Sequence, residues 1–231
     1  MSMVGEAVEH GANGGVPQQL GGTKGAGWRR ASSALRLTFC SASVDRVCVP
    51  IYGRHFERGQ LQFITTSTYR RARLFTCRRF CAIFVDALHQ LRTEMGFLLN
   101  GWVLMPDHFH LLIRPEPAEA TVRFMQELKK RTAQQIIATL TCHQENLQCR
   151  TLLARLRLPP GVHSDCYYRA WQRRYVPFNV FTHKKQMEKL DYMHHNPVTA
   201  RLVASPDQWP WSSFRFYHLN DSSLLTMDRV R

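Results

Sequence analysis

The sequence has no apolar run approaching the ~20 residues that a membrane-spanning helix needs. Its first 27 residues are glycine-rich and lack the apolar stretch of a secretory leader. The expectation is a cytoplasmic protein with no membrane partner. Cysteine pairing is missing as well. Seven cysteines (Cys40, Cys48, Cys77, Cys81, Cys142, Cys149, Cys166) include no CxxC, which argues against a zinc ribbon and against a disulfide framework. Cys77 and Cys81 are expected to be ordinary buried thiols. Acid is scarce too: 17 Asp+Glu face 31 Lys+Arg, a formal net charge of +14. Such an excess favours polyanions, because each phosphate neutralised by Lys or Arg releases condensed counterions. A solvated basic surface is the plain alternative.

What is present falls into unequal parts. Gly11–Gly27 is dense in glycine and poor in apolar residues, so burial cannot offset its ordering entropy. Residues 1–50 are accordingly expected to be a disordered extension, or an over-long gene start, ahead of a catalytic domain at 51–218 and a tail at 219–231. Leu61–Thr68 is β-branched and aromatic and reads as a strand. From Arg78 to Met95, Phe80, Ile83, Phe84, Ala87, Leu88 and Leu91 recur at helical spacing. Phe97–Leu104 and His108–Arg114 form two strands across the Met105-Pro106-Asp107 turn. A second helix is expected over Ala118–Thr139, with Val122, Met125, Leu128 and Ile136 buried. Residues 140–170 have no clear period, and Pro159-Pro160-Gly161 marks a loop. Tyr175–Thr182 reads as an edge strand that tolerates Pro177. The last helix starts at a Thr182 cap and stops at Asn196-Pro197. This order predicts an α+β, ferredoxin-like antiparallel sheet with helices on one face and an appended C-terminal helix.

The chemistry centres on His108-Phe109-His110. Residues i and i+2 of a strand share a face, so both imidazoles converge while Phe109 enters the opposite layer. Two imidazoles on one face suit a divalent metal, although an HxH pair alone is a weak signal and an exposed pair is its bland reading. In the last helix Tyr192 and Asn196 are four apart and share a face with Lys185, Glu188 and Lys189. Met187, Leu190, Met193 and His194 form the packing side. A half-buried surface tyrosine and a C-capping asparagine are the plain alternatives for the pair.

Three segments in order, MPDHFHLLI (Met105–Ile113), LDYMHHNPV (Leu190–Val198) and WPWSSFRFY (Trp209–Tyr217), resemble the REP-associated tyrosine transposases. These are single-strand, one-tyrosine transposases of the HUH (His-hydrophobe-His) type. FITTSTYR (Phe63–Arg70) and FNVFTHKKQMEKL (Phe178–Leu190) follow the same pattern, so the likeness covers roughly residues 52–218. It implies a ferredoxin-like fold, His108, His110 and Asn196 as ligands of Mg²⁺ or Mn²⁺, and Tyr192 as nucleophile. It also implies cleavage and rejoining of single-stranded DNA beside a palindromic hairpin through a 5′-phosphotyrosine link.

Basic and aromatic residues recur around these motifs. Arg70, Arg71, Lys129, Lys130, Arg173, Arg174, Lys184, Lys185, Lys189, Trp211 and Arg215 are the candidate DNA-binding set, with cations for phosphate and rings for bases. The expected state is a monomer or homodimer without nucleotide cofactor. The rival from another class is a domesticated DNA-binding protein that no longer cuts. A histidine-triad nucleotide hydrolase is disfavoured, because its third histidine would stand where Leu112 does.

Overall fold

Four strands and five helices make up the computed structural model, which describes residues 59–115, 120–161 and 167–229. The strands are β1 (Leu61–Ser67), β2 (Leu98–Met105), β3 (His108–Arg114) and β4 (Val176–Val180); the helices are α1 (Arg78–Met95), α2 (Ala120–Cys142), α3 (Leu147–Leu156), α4 (His183–Thr199) and α5 (Phe214–Leu219). The sheet order is β2-β3-β1-β4, and every pairing is antiparallel. This is the ferredoxin-like α+β arrangement expected from the sequence. The extension at 1–50, Cys40, Cys48, Cys166 and Ala118 lie outside the described residues.

Period-2 alternation sorts the sheet into two faces. Ile64, Phe109, Leu111 and Ile113 join α1 and α2 in the larger core. Leu61, Phe63, Val103, Met105 and Leu112 point the other way and meet Leu190 and Met193 of α4. His108 and His110 share the parity of Leu112, so the HxH pair lies on the α4 face. Nor is the C-terminal segment loose. Leu225 and Met227 are buried, and Asp228 accepts from the Leu99 amide and from Arg92.

Close approach holds α4 in register. The β2–β3 ladder shifts between Leu99 and Gly101, which places Gly101 opposite Leu112 beneath α4. A Cβ at Gly101 would lie 2.7 Å from Leu190 Cδ1 and 2.7 Å from Met193 Cε. Gly101→Val, which adds two methyls beyond that Cβ, should therefore force Leu190 and Met193 to repack and disturb the seat of α4. The expected cost is about 1–3 kcal/mol in chemical denaturation, with faster amide hydrogen exchange across α4. Unchanged stability and exchange would show that the seat of α4 does not depend on this close approach.

Several local expectations are corrected. A helix forms within the 140–170 segment that lacks a clear period, because the Asn146 side chain accepts from the Gln148 and Cys149 amides and starts α3. Helix α2 runs on to Cys142, and Val122 is only half-buried while Phe124 and Thr132 are fully enclosed. Helix α4 does not stop at Asn196-Pro197. Pro197 sits inside it, and Ala200 caps the end by donating to the Asn196 and Val198 carbonyls. A proline that close to the C-terminus forfeits one intrahelical bond, and the helix survives the loss. Asn196 is thus a helical residue and not the cap. Cys77 is exposed, and Met187 is 44% exposed, so neither belongs to the core.

Candidate active site

The site is built where the start of β3 passes under the C-terminal half of α4. His108 Nδ1–H donates to Asp107 Oδ1 at 2.7 Å. His110 lies 2.7 Å through Nδ1 from Thr65 Oγ1, the residue directly opposite it in β1. With Asp107 accepting from its Nδ1–H, His108 keeps its lone pair on Nε2, and a carboxylate behind an imidazole is the arrangement that orients metal-binding histidines. The two rings are 5.0 Å apart between centroids. Burial first, then the positive charges of His108, Lys189 and Arg71, push the His110 pKa down to about 3. Its ring is neutral at physiological pH, as a ligand must be.

Helix α4 brings the other two residues. Asn196 Nδ2 is 3.1 Å from His110 Nε2, although 86 positions separate them. A half-turn of that amide presents Oδ1 at the same place. Tyr192, one turn earlier, is 50% exposed and packs edge-on against His110 at 5.4 Å and Phe63 at 6.1 Å. Phe63 in turn stacks on His110 at 5.3 Å. The phenol is therefore held beside the His110 imidazole with half of the residue's surface open to solvent. Lys189 places Nζ over the rings of Phe63, Phe178 and Tyr192, at 5.1, 5.0 and 5.8 Å.

Among the described residues no third His, Cys, Asp or Glu completes a metal cluster. The donor set is two imidazoles and one amide, which leaves most of a divalent ion's coordination sphere for phosphate and water. Imidazole nitrogens and an amide oxygen are donors that can hold a divalent ion.

The basic candidates divide by position. Arg70 and Arg71 both take left-handed backbone angles, with φ of 52° and 54°. Arg71 reaches Ser67 Oγ at 2.9 Å and lies 3.6 Å from Asp107, beside His108. Lys189 joins it at the site. Lys129 lies on α2, where it donates to the Gln172 carbonyl at 3.0 Å. Lys130 pairs with Glu127, Lys185 with Glu188, and Arg215 with Asp221. Arg173, Arg174 and Lys184 are exposed. Trp211 is half-buried against the core, and its carbonyl accepts from the Leu104 amide beside β2.

Sequence reasoning missed two supporting residues, Thr65 and Ser213. Thr65 carries no signal until the β1–β3 register is known. Asp107, which adjoins the motif, is readable from the sequence both as an imidazole-orienting carboxylate and as a turn residue, and in the structure it holds His108. Ser213 receives α4: its hydroxyl lies 3.0 Å from His194 Nε2 and donates to the Trp102 carbonyl. Burial, followed by the charges of His218 and His195, holds the His194 pKa down to about 3. Between that value and the ordinary 6.5 the unfolded chain binds a proton that the folded chain does not, so stability falls as pH falls across this window. From pH 6.5 to pH 5 the expected loss is about 2 kcal/mol at this residue. His194→Gln should flatten the fall in melting temperature over that range. An unchanged acid profile would place the sensitivity elsewhere.

Comparison with known proteins agrees with this fold. The family model described as transposase IS200 like matches residues 55–155. A REP-associated tyrosine transposase of Escherichia coli (strain K12) is 24% identical over 165 residues, spanning 71% of this chain and 81% of that one. A Haemophilus influenzae relative, also named for a REP-associated tyrosine transposase, is 27% identical over 164 residues, spanning 71% and 84%. A solved structure of such a transposase bound to a REP hairpin aligns with a TM-score of 0.54 at 22% identity, covering 79% of this chain and 92% of that chain, which speaks for the fold. Among the described residues no helix is long and apolar enough to cross a membrane.

Proposed function

Starting from a chain that is a distant relative of the REP-associated tyrosine transposases, we propose that it cleaves and rejoins single-stranded DNA beside a hairpin. Tyr192 is the nucleophile, and His108, His110 and Asn196 hold Mg²⁺ or Mn²⁺. The observation that carries this reading is the convergence of Tyr192 and Asn196, from a helix distant in sequence, on His110.

The Tyr192 oxygen attacks phosphorus, and the bond from phosphorus to the 3′ oxygen breaks. The phenolic proton leaves to solvent, which reaches the half-exposed ring, and the departing oxygen takes up a proton to become a 3′-OH. The 5′-phosphate stays esterified to Tyr192, so the energy of the broken bond is kept. A 3′-OH from another strand reverses the step. A bound divalent ion supplies charge neutralisation at the phosphate oxygens. Phe63 and His110 keep the phenol in place, and Lys189 adds a cation beside it.

The test is an end-labelled hairpin-bearing single strand incubated with Mg²⁺ or Mn²⁺. Strand cleavage with a detergent-stable protein–DNA adduct is expected. Tight hairpin binding without cleavage under either ion would favour a domesticated DNA-binding protein instead. The strand partner, the choice of ion, a monomeric or homodimeric state and a cytoplasmic location belong to the same proposal, as does the assignment of residues 51–218 to the catalytic domain.

A further inference from the structure

A second polar site lies on the same face of the sheet. An open cavity of about 250 Å³ sits at the start of α4, lined among others by Arg114, Thr182, His183 and Gln186. Gln186 is only 5% exposed, yet its Nε2 has no hydrogen-bond partner among the described residues. Arg114 Nε is buried and equally without one. Folded proteins rarely leave buried donors unmatched, since each costs its desolvation. The first turn of α4, where Thr182 Oγ1 caps the Lys185 amide, adds the His183 and Lys184 amides, which have no intrahelical acceptor, and the positive end of its dipole. No Asp or Glu is among the described residues that line the cavity. The unmatched buried side-chain atoms of these described residues are both donors, and the chemistry that satisfies such a set is an oxyanion.

Position identifies which oxyanion. On β3 the alternate residues His108, His110, Leu112 and Arg114 share one face, so Arg114 lies roughly 13 Å along the strand from His110. On α4, Gln186 precedes Tyr192 by less than two turns. Between the two sites Lys189 stands over Phe63 and Phe178, and Phe178 is 44% exposed. Cation and ring together are what a single strand uses between phosphate contacts.

We propose that the Arg114–Gln186 cavity holds a non-scissile phosphate of the strand whose scissile phosphate lies at Tyr192. The assignment rests on the DNA-cleaving function proposed above. It makes the cavity a ruler that fixes how far the strand extends from the point of cleavage.

The test replaces the phosphates of the hairpin-bearing strand one at a time by neutral methylphosphonates. Wild-type protein should lose about tenfold in affinity at one non-scissile position. Gln186→Glu, nearly isosteric but acidic, should bind unmodified DNA about tenfold more weakly and lose sensitivity at that position. Arg114→Gln should behave alike and carries the test if the first variant does not fold. Inorganic phosphate, compared with chloride at equal ionic strength, should raise the melting temperature of the wild type more than that of either variant. Wild-type protein that forms the tyrosine adduct but shows no sensitive non-scissile position overturns this inference alone. Stabilisation by inorganic phosphate without such a position makes the cavity a free-anion site and also overturns it. Protein that binds no hairpin strand overturns the DNA function, and this inference with it.

Discussion

Tyr192→Phe should abolish strand cleavage and adduct formation while leaving hairpin binding nearly unchanged. The substitution removes one oxygen and keeps the ring, so the edge-on contacts with His110 and Phe63 survive. Loss of the only attacking atom should lower cleavage by on the order of 10³-fold or more. Half of the Tyr192 surface is exposed, so the change should cost little stability. Binding and melting measured beside cleavage separate a chemical loss from a structural one. An adduct formed by the phenylalanine variant would transfer the role to another tyrosine, with Tyr175 the nearest in sequence.

The second large effect is expected at the imidazoles. Combined His108→Ala and His110→Ala should eliminate Mn²⁺-dependent cleavage, again by about 10³-fold or more. Asn196→Ala should cost less, about 10–100-fold, because water can replace one amide oxygen. The order matters more than the size. His110 is held by Thr65, Asn196 and Phe63 at once, whereas Asn196 contributes a single arm from a helix whose seat depends on Leu190 and Met193. Titration of Mn²⁺ should show the deficit of Asn196→Ala shrinking at high metal and that of the double variant persisting. An asparagine variant as inactive as the double variant at every Mn²⁺ concentration would give Asn196 a different role.

Much of this site is legible in the sequence, for a physical reason. A strand has period 2, so His108 and His110 must share a face once Phe109, Leu111 and Ile113 claim the core. Tyr192 and Asn196 likewise share a helix face by spacing alone. That α4 covers the imidazole face follows from family resemblance and not from periodicity. Contacts made between elements leave no such trace. Thr65 matters because it lies opposite His110, and Gly101 because α4 lands on it. Helix α3 is obscure in the sequence because one capping asparagine starts it and no strong apolar stripe announces it. The Arg114–Gln186 cavity joins a strand end to a helix start 72 positions away, which no local pattern encodes. The basic residues are easy to see and hard to rank. Lys130, Lys185 and Arg215 have acidic neighbours, but exposed pairs of this kind are weak and open readily to phosphate.

The central claim is that Tyr192 becomes covalently joined to DNA, and peptide mapping of the trapped adduct tests it most directly. Wild-type protein would be incubated with Mn²⁺ and a hairpin-bearing single strand, digested with protease and nuclease, and analysed by mass spectrometry. The account predicts one modified peptide, carrying a 5′-linked nucleotide on Tyr192 and absent when Mn²⁺ is withheld. A nucleotide on any other residue, or cleavage that leaves every tyrosine unmodified, would contradict it.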